Sequence, residues 1–324
     1  MATYLARLRS PFIISKTATQ TSGSADITIT IDNDVKYIIS KNTISDVVSF
    51  EVSELIRDYL DITWDGVFPY SSNTKNTLLV NATIKIEFYV GTKVQRATNP
   101  SSPNETITDD LYGFDAYSEF KEGVNKQITS GQLLQTNTVM YLPETGDAYI
   151  PYEKNNTNNV AEIDYVTVSS SDTAKIVGGI SIAIERICEP IFDILKVVFI
   201  NKFGALQEFY FNKKNIQSLN VTQESYRSTL LSNNTYSTLD HQKYQYNKQA
   251  SQRITVNTGY VEEGQFEPIK QMMLSELVWM EIGSIVYPVN IVSNSLEKKT
   301  KTNDRLVNYR LDLEFAYDVI NNVR

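Results

Sequence analysis

The 324-residue chain carries 30 basic and 38 acidic residues, a net charge of −8, with 20 Tyr, 13 Phe, one His and one Cys; its pI is about 4.9. An acidic balance argues against a grip on nucleic acid, whose phosphates call for Lys and Arg, and against docking on an anionic membrane leaflet. A single His and a single Cys leave little for acid–base, nucleophilic or metal chemistry, whereas the aromatics suit sheets and tyrosine-rich contact surfaces.

The first residues, Met-Ala-Thr-Tyr-Leu-Ala-Arg-Leu-Arg-Ser-Pro, lack the apolar core of a signal peptide, and no run of ~18 apolar residues predicts a membrane span. Residues 26–31 alternate strictly, Asp32-Asn33-Asp34 reads as a turn, and residues 35–40 return, so a hairpin is expected. A third strand over 47–52 leads into a short helix at 53–61, with Ser53 as its cap. Residues 83–90 alternate again, placing Ile84, Ile86, Phe88 and Val90 on one face. The Pro-, Ser- and Asn-rich stretch from Arg96 predicts an exposed loop or boundary. Residues 109–123 are aromatic and acidic, with neither a helical nor a strand period. Short strands are expected near 138–142 and 148–152, with a break at the Asn-rich run 155–159. Beyond it, strands are expected at 163–168, 175–187 and 194–200. Asn201-Lys202-Phe203-Gly204 turns the chain back into 206–211. A polar stretch, 225–252, precedes a strand at 253–258. A helix is predicted from Glu267, with Pro268 in its first turn and Ile269, Met273 and Leu277 on one face. Residues 285–292 and 305–317 close the chain as a long hairpin. Six alternating pairs in the last strand mark it as central to a sheet.

No constellation of residues announces a reaction. His241 lies in a polar stretch without a nucleophile elbow nearby and reads as a loop residue. Cys188 reads as a small buried hydrophobe on a strand. Asp32-Asn33-Asp34 begins like a calcium loop but lacks its glycine and distal glutamate. Gly178-Gly179 reads as a bulge within one strand. Lys298-Lys299-Thr300-Lys301 reads as solvated charge at a hairpin tip, with a contact to an acidic neighbouring subunit as the sharper alternative. A glycoside hydrolase needs only two facing carboxylates, but no pair among the 38 stands out. The tyrosine-rich stretches suggest a partner interface formed by Tyr112, Phe114, Tyr117, Phe120, Tyr226, Tyr236, Tyr244 and Tyr246.

The stretch Val-Val-Phe-Ile-Asn-Lys-Phe-Gly-Ala-Leu-Gln-Glu-Phe-Tyr-Phe at 197–211 resembles uncharacterised structural proteins of tailed double-stranded DNA phages, including marine and Bacteroidota phages. So do Ser-Glu-Leu-Val-Trp at 275–279, Tyr-Pro-Val-Asn at 287–290 and Asn-Tyr-Arg-Leu-Asp-Leu-Glu-Phe-Ala-Tyr at 308–317. The resemblance spans roughly residues 160–324, with a weaker echo at 50–59. It implies a non-enzymatic virion component of tail, baseplate or neck, synthesised in the host bacterial cytoplasm, and it brings no cofactor and no site residues. Its partners would be other virion proteins and copies of itself, with neither direct nucleic-acid nor membrane contact. A receptor- or carbohydrate-binding tail protein meeting a host-surface glycan is the alternative. The expected fold is mainly β: two antiparallel β-sandwich- or barrel-like domains with one or two short helices. Residues 1–95 would form an N-terminal β domain, 96–159 a loop-rich connection, and 160–324 a C-terminal β domain with a helix near 267–278.

Overall fold

The computed structural model describes residues 2–154, 160–188, 191–229, 235, 237–298 and 306–320. The fold is mainly β, with sandwich-like layering and a few short helices.

The N-terminal part contains β1 (Thr3–Arg7), β2 (Ile13–Thr17), β3 (Ser24–Ile31), β4 (Asp34–Asn42), β5 (Val47–Glu51), α1 (Ser53–Arg57), α2 (Ser72–Thr77), β6 (Leu79–Tyr89), α3 (Lys93–Thr98) and β7 (Glu105–Phe114). Five strands form one sheet in the order β1-β7-β6-β3-β4, and β2 pairs with β5. The β3–β4 hairpin is as expected: Asp32 and Asn33 take φ of 54° and 64°, the left-handed pair that matches strand twist. Ile27, Ile29, Ile84, Ile86 and Phe88 are buried against Ile14, Val48 and Phe50. Val90, expected on the same face, is exposed because β6 ends and Thr92 opens α3 with a capping box. Ser53 is not the cap of α1 either; Val52 holds that position, and the Ser53 hydroxyl bonds the Glu51 carboxylate.

The middle of the chain supplies a 3₁₀ turn (Phe120–Glu122), β8 (Val139–Pro143), β9 (Ala148–Lys154), β10 (Glu162–Val168), β11 (Ala174–Val177) and β12 (Ile180–Ile187). β9 pairs with β10, and β11, β12 and β8 form a small sheet. Gly178 and Gly179, with φ of 58° and 76°, are the turn of the β11–β12 hairpin, not a bulge in one strand; Val177 pairs directly with Ile180. A Cβ on Gly178 would lie 2.8 Å from the Gly131 carbonyl oxygen, whereas one on Gly179 would meet open space. Gly178→Ala is therefore expected to cost ~1–3 kcal/mol, and Gly179→Ala distinctly less. Urea unfolding of the two variants side by side checks this; equal losses would mean that the close approach to Gly131 does not matter. Cys188 lies just past β12 and is exposed, correcting its expected burial on a strand.

The C-terminal part contains β13 (Leu195–Ile200), β14 (Leu206–Phe211), β15 (Ile216–Arg227), β16 (Lys243–Glu262), α4 (Phe266–Met273), β17 (Val278–Ile282), β18 (Ile285–Ile291) and β19 (Leu306–Phe315). They form a seven-stranded sheet in the order β14-β13-β17-β18-β19-β16-β15. β19 is interior, as its alternation required: Leu311, Leu313 and Phe315 are buried, Asp312 is exposed, and Glu314 pairs with Arg253 on β16. α4 is shorter than expected and turns a different face inward. Ile269, Gln271 and Met272 are buried while Leu277 lies beyond the helix and is exposed. Gln271 takes a core-facing place because both ends of its amide have a partner, the oxygen accepting from Lys202 N–H (3.2 Å) and the nitrogen donating to the Thr136 hydroxyl (2.9 Å).

The expected division into two domains with a loop-rich connector needs correction. β6 and β7 pair across residue 95, and β9 and β10 pair across residue 159. Residues 96–159 thus contribute strands and core. Two of the pairings, β1 with β7 and β8 with β12, are parallel, so the sheets are not purely antiparallel. The unifying element is a core between the two large sheets. β7 sends Leu111 into the N-terminal core and Tyr112 and Phe114 to the other side. β13 sends Val197 and Phe199 into the C-terminal core and Val198 and Ile200 toward Phe114. A strand buried on both faces loses its polar alternation, which is why residues 109–123 showed no period.

The Asn201–Gly204 turn plugs into this centre. The buried Asn201 side chain accepts from Phe203 N–H (2.9 Å) and Ala205 N–H (3.2 Å) and donates to the Leu134 carbonyl. Lys202 pairs with Glu122, and Gly204, at φ 79°, lies where a Cβ would come within 3.0 Å of Asp115 N.

Candidate assembly interface

The expected partner residues do not lie together. Tyr112 and Phe114 are interior, 5% and 0% exposed, and belong to the core between the sheets rather than to a surface. Tyr117 is half-buried beneath the Arg9 guanidinium, 5.4 Å from its ring centre, and burial pushes its hydroxyl up to about 12. Phe120 is fully exposed on the 3₁₀ turn, apart from the tyrosines that follow. Tyr226, Tyr244 and Tyr246 come together at the end of a ribbon. Tyr236 lies outside the described residues, as do Lys299, Thr300 and Lys301 of the basic run.

The ribbon is the polar stretch that read as irregular. β15 and β16 pair from Ile216–Thr255 to Arg227–Lys243, but β19 covers β16 only from Arg253 onward, and the Val319 N–H reaches the Ala250 carbonyl (2.9 Å). Past that point two strands run on alone for about six residues, roughly 20 Å at ~3.4 Å each. Every residue of β15 is exposed, as are residues 243–248 of β16. A backbone ladder needs no apolar alternation when both faces are solvated, so the sequence of the ribbon carries no period.

A register shift between Thr222 and Glu224, with Asn247 at φ 50°, marks a β-bulge. Asn247 donates to the Glu224 carboxylate (2.9 Å). Beyond it Tyr226 faces Tyr244 directly, their rings stacked at 5.3 Å and 13°, with Tyr246 edge-on to Tyr226 at 5.8 Å. The three are 52%, 40% and 48% exposed. Alternation puts Leu219 and Val221, 58% and 52% exposed, on the opposite face. These two aliphatic residues were missed in the sequence because they sit among Asn, Thr, Gln and Ser. His241 lies near the same tip, 6.1 Å from Tyr244.

The other candidates are more enclosed. Glu208 on β14 is a strongly perturbed carboxyl: burial pushes it up to about 7, against the pull of Lys196 and hydrogen bonds from Tyr210 and Tyr149. It accepts from the Tyr210 hydroxyl at 3.0 Å and the Tyr149 N–H at 3.3 Å. The cavity beside it, lined also by Met140 and Gln265, holds about 10 Å³, room for roughly one water and none for a sugar ring. Asp34, in the turn that resembled a calcium loop, pairs with Lys36 at 3.3 Å. Among the described residues no three His, Cys, Asp or Glu side chains cluster as a metal site, and no helix is long and apolar enough to cross a membrane.

Compared with known proteins, the chain matches no family model, no curated sequence and no solved structure.

Proposed function

We propose that the protein is a non-enzymatic structural subunit of a bacteriophage particle, a tail, baseplate or neck component that works by assembling with other virion proteins and with copies of itself. The β15–β16 ribbon is the observation that carries the assembly reading. A two-stranded ribbon in water is marginally stable by itself, and this one leaves aliphatic residues on one face and stacked tyrosines on the other uncovered by its own chain. A partner that covers both faces supplies what the chain does not. The virion assignment rests on the resemblance of residues 197–211 and 275–317 to phage structural proteins, and places synthesis in the host bacterial cytoplasm.

The stacked tyrosines at an exposed tip also favour a second reading, a receptor- or carbohydrate-binding tail protein. Replacing residues 223–248 by a two-residue asparagine–glycine turn joins Thr222 to Gln249, which already pair, and leaves the body intact. The parent is expected to gain mass with concentration in sedimentation and to be present in purified particles; the shortened chain should stay monomeric with an unchanged far-UV spectrum. A parent that is monomeric, missing from particles, and binds a glycan through Tyr226, Tyr244 and Tyr246 would replace the assembly reading with the adhesin one.

A further inference from the structure

The two large sheets have four edge strands, and three of them are covered or guarded. β14 is buried along its whole length. β1 is covered by residues 127–128, where the Gln127 side chain accepts from Leu5 N–H (3.3 Å) and Ile128 N–H donates to the Leu5 carbonyl (3.1 Å). β4 carries Lys36 and Lys41, charges of the kind that keep one sheet edge from pairing with another. β15 is the fourth edge. Its 12 residues are all exposed, and among the described residues β16 is the one strand beside it. From Ile216 to Gln223 it has neither charge nor proline. The extra residue of the bulge lies on β16, so the outer side of β15 runs on without a break. Leu219 and Val221 stand opposite Gln252 and Ala250, on the face of β16 that carries the buried Ile254. These two aliphatic residues therefore prolong the apolar face of the C-terminal sheet past its own margin.

We propose that β15 pairs antiparallel with β15 of a second copy of this chain, about a two-fold axis through Val221, an inference that rests on the assembly reading and names its partner. A copy is the partner that fits because this edge is self-complementary. The two-fold sets residues 216–226 of one copy beside residues 226–216 of the other, nearly the whole length of β15. Val221 then lies opposite itself, with Leu219 of each copy on the same face. On the other face Ile216, 50% exposed, meets Tyr226, 52% exposed. Apolar cross-strand pairs of this kind stabilise a sheet. Like charges stay apart: Glu224 falls opposite Ser218, about 20 Å along the strand from its counterpart in the other copy. The seven-stranded sheets of two copies become one continuous sheet. The contact is isologous, so it closes on two copies.

Single cysteines in the full-length chain test this, in a Cys188→Ser background that removes the one native cysteine. Residues directly opposite in an antiparallel pair have Cα atoms ~4.5–5.5 Å apart, within the span of a disulfide. On air oxidation Val221→Cys is expected to give a covalent dimer. Leu219→Cys is not, since its two copies would lie about 14 Å apart along the strands. Val221→Lys sets like charges face to face and should weaken association about tenfold or more in sedimentation across concentration. Val221 is 52% exposed, and thermal unfolding of each variant checks that the fold is kept. Association unchanged in Val221→Lys would overturn β15 as the contact, with the assembly reading intact. Cross-linking through Leu219→Cys but not Val221→Cys would overturn the axis. A parent that is monomeric alone yet present in particles would overturn the second copy as partner, again with the assembly reading intact. A parent that neither self-associates nor enters particles would end both.

Discussion

Phe114→Ala should cost about 3–5 kcal/mol, the usual range for emptying a buried phenylalanine site, and should weaken both halves of the molecule together. Phe114 is fully buried on the side of β7 that faces Val198 and Ile200 of β13, so its ring holds one large sheet against the other. The chain has two tryptophans, Trp64 and Trp279, in edge contact at 5.3 Å and both packed on this same core. Intrinsic fluorescence therefore reports the joint, and far-UV dichroism reports all the sheets. In urea the two signals should move together in the parent, and together at lower denaturant in the variant. If fluorescence changed first, with most of the sheet signal surviving, the two large sheets would be independent units and the shared core only a contact surface between them.

Glu208→Gln should flatten the dependence of stability on pH between about 4.5 and 7. Burial raises the Glu208 carboxyl to about 7 in the folded chain, from 4.5. A carboxyl raised by folding binds its proton more tightly in the native state. Its contribution is complete below the unfolded value and is lost as pH rises through the folded one. The shift corresponds to stability on the order of 3 kcal/mol lost by pH 8 relative to pH 4. Glutamine is neutral throughout and keeps an oxygen to accept from Tyr149 N–H and the Tyr210 hydroxyl. The difference in unfolding free energy between variant and parent should thus shift in favour of the variant as pH rises across this window. A difference that stayed constant from pH 4 to 8 would show that Glu208 titrates as an ordinary solvated carboxyl.

Strands with one wet face were legible in the sequence. The β3–β4 hairpin, the central β19 and the Asn201–Gly204 turn were all placed correctly because alternation or turn chemistry marks them locally. The strands that fix the architecture were harder to read. β7 is apolar on both faces for its last four residues, and β15 is polar on nearly all of its length, so neither shows a period of two. Consequently Tyr112 and Phe114 were grouped with surface tyrosines, although they lie on opposite sides of a solvent boundary from Tyr226 and Tyr244. The buried face of α4 was misjudged because a buried glutamine looks polar in sequence, while its hydrogen bonds to Lys202 and Thr136 exist only in the folded chain. Gly178-Gly179 could equally be a bulge or a turn by composition; the close approach of Gly131, 47 residues earlier, is visible only in three dimensions. What made the ribbon tip legible at all was the density of tyrosine, and what hid its aliphatic face was the isolation of Leu219 and Val221.

The parallel pairing of β1 with β7 and the shared core behind β7 set an order of events during synthesis. β1 finds its sheet partner only after residue 114 has followed it out of the ribosome. The opposite side of β7 then waits for residues 198–206. At ~5–20 residues per second, those roughly 90 residues leave Tyr112 and Phe114 without the β13–β14 part of their cover for about 5–20 s, far longer than hydrophobic collapse takes. Nascent chains in that interval hold a core that is only partly covered, a state in which exposed apolar surface favours aggregation. Slower initiation or a holding chaperone is therefore expected to raise its soluble yield, which comparing soluble fractions at two initiation rates would check.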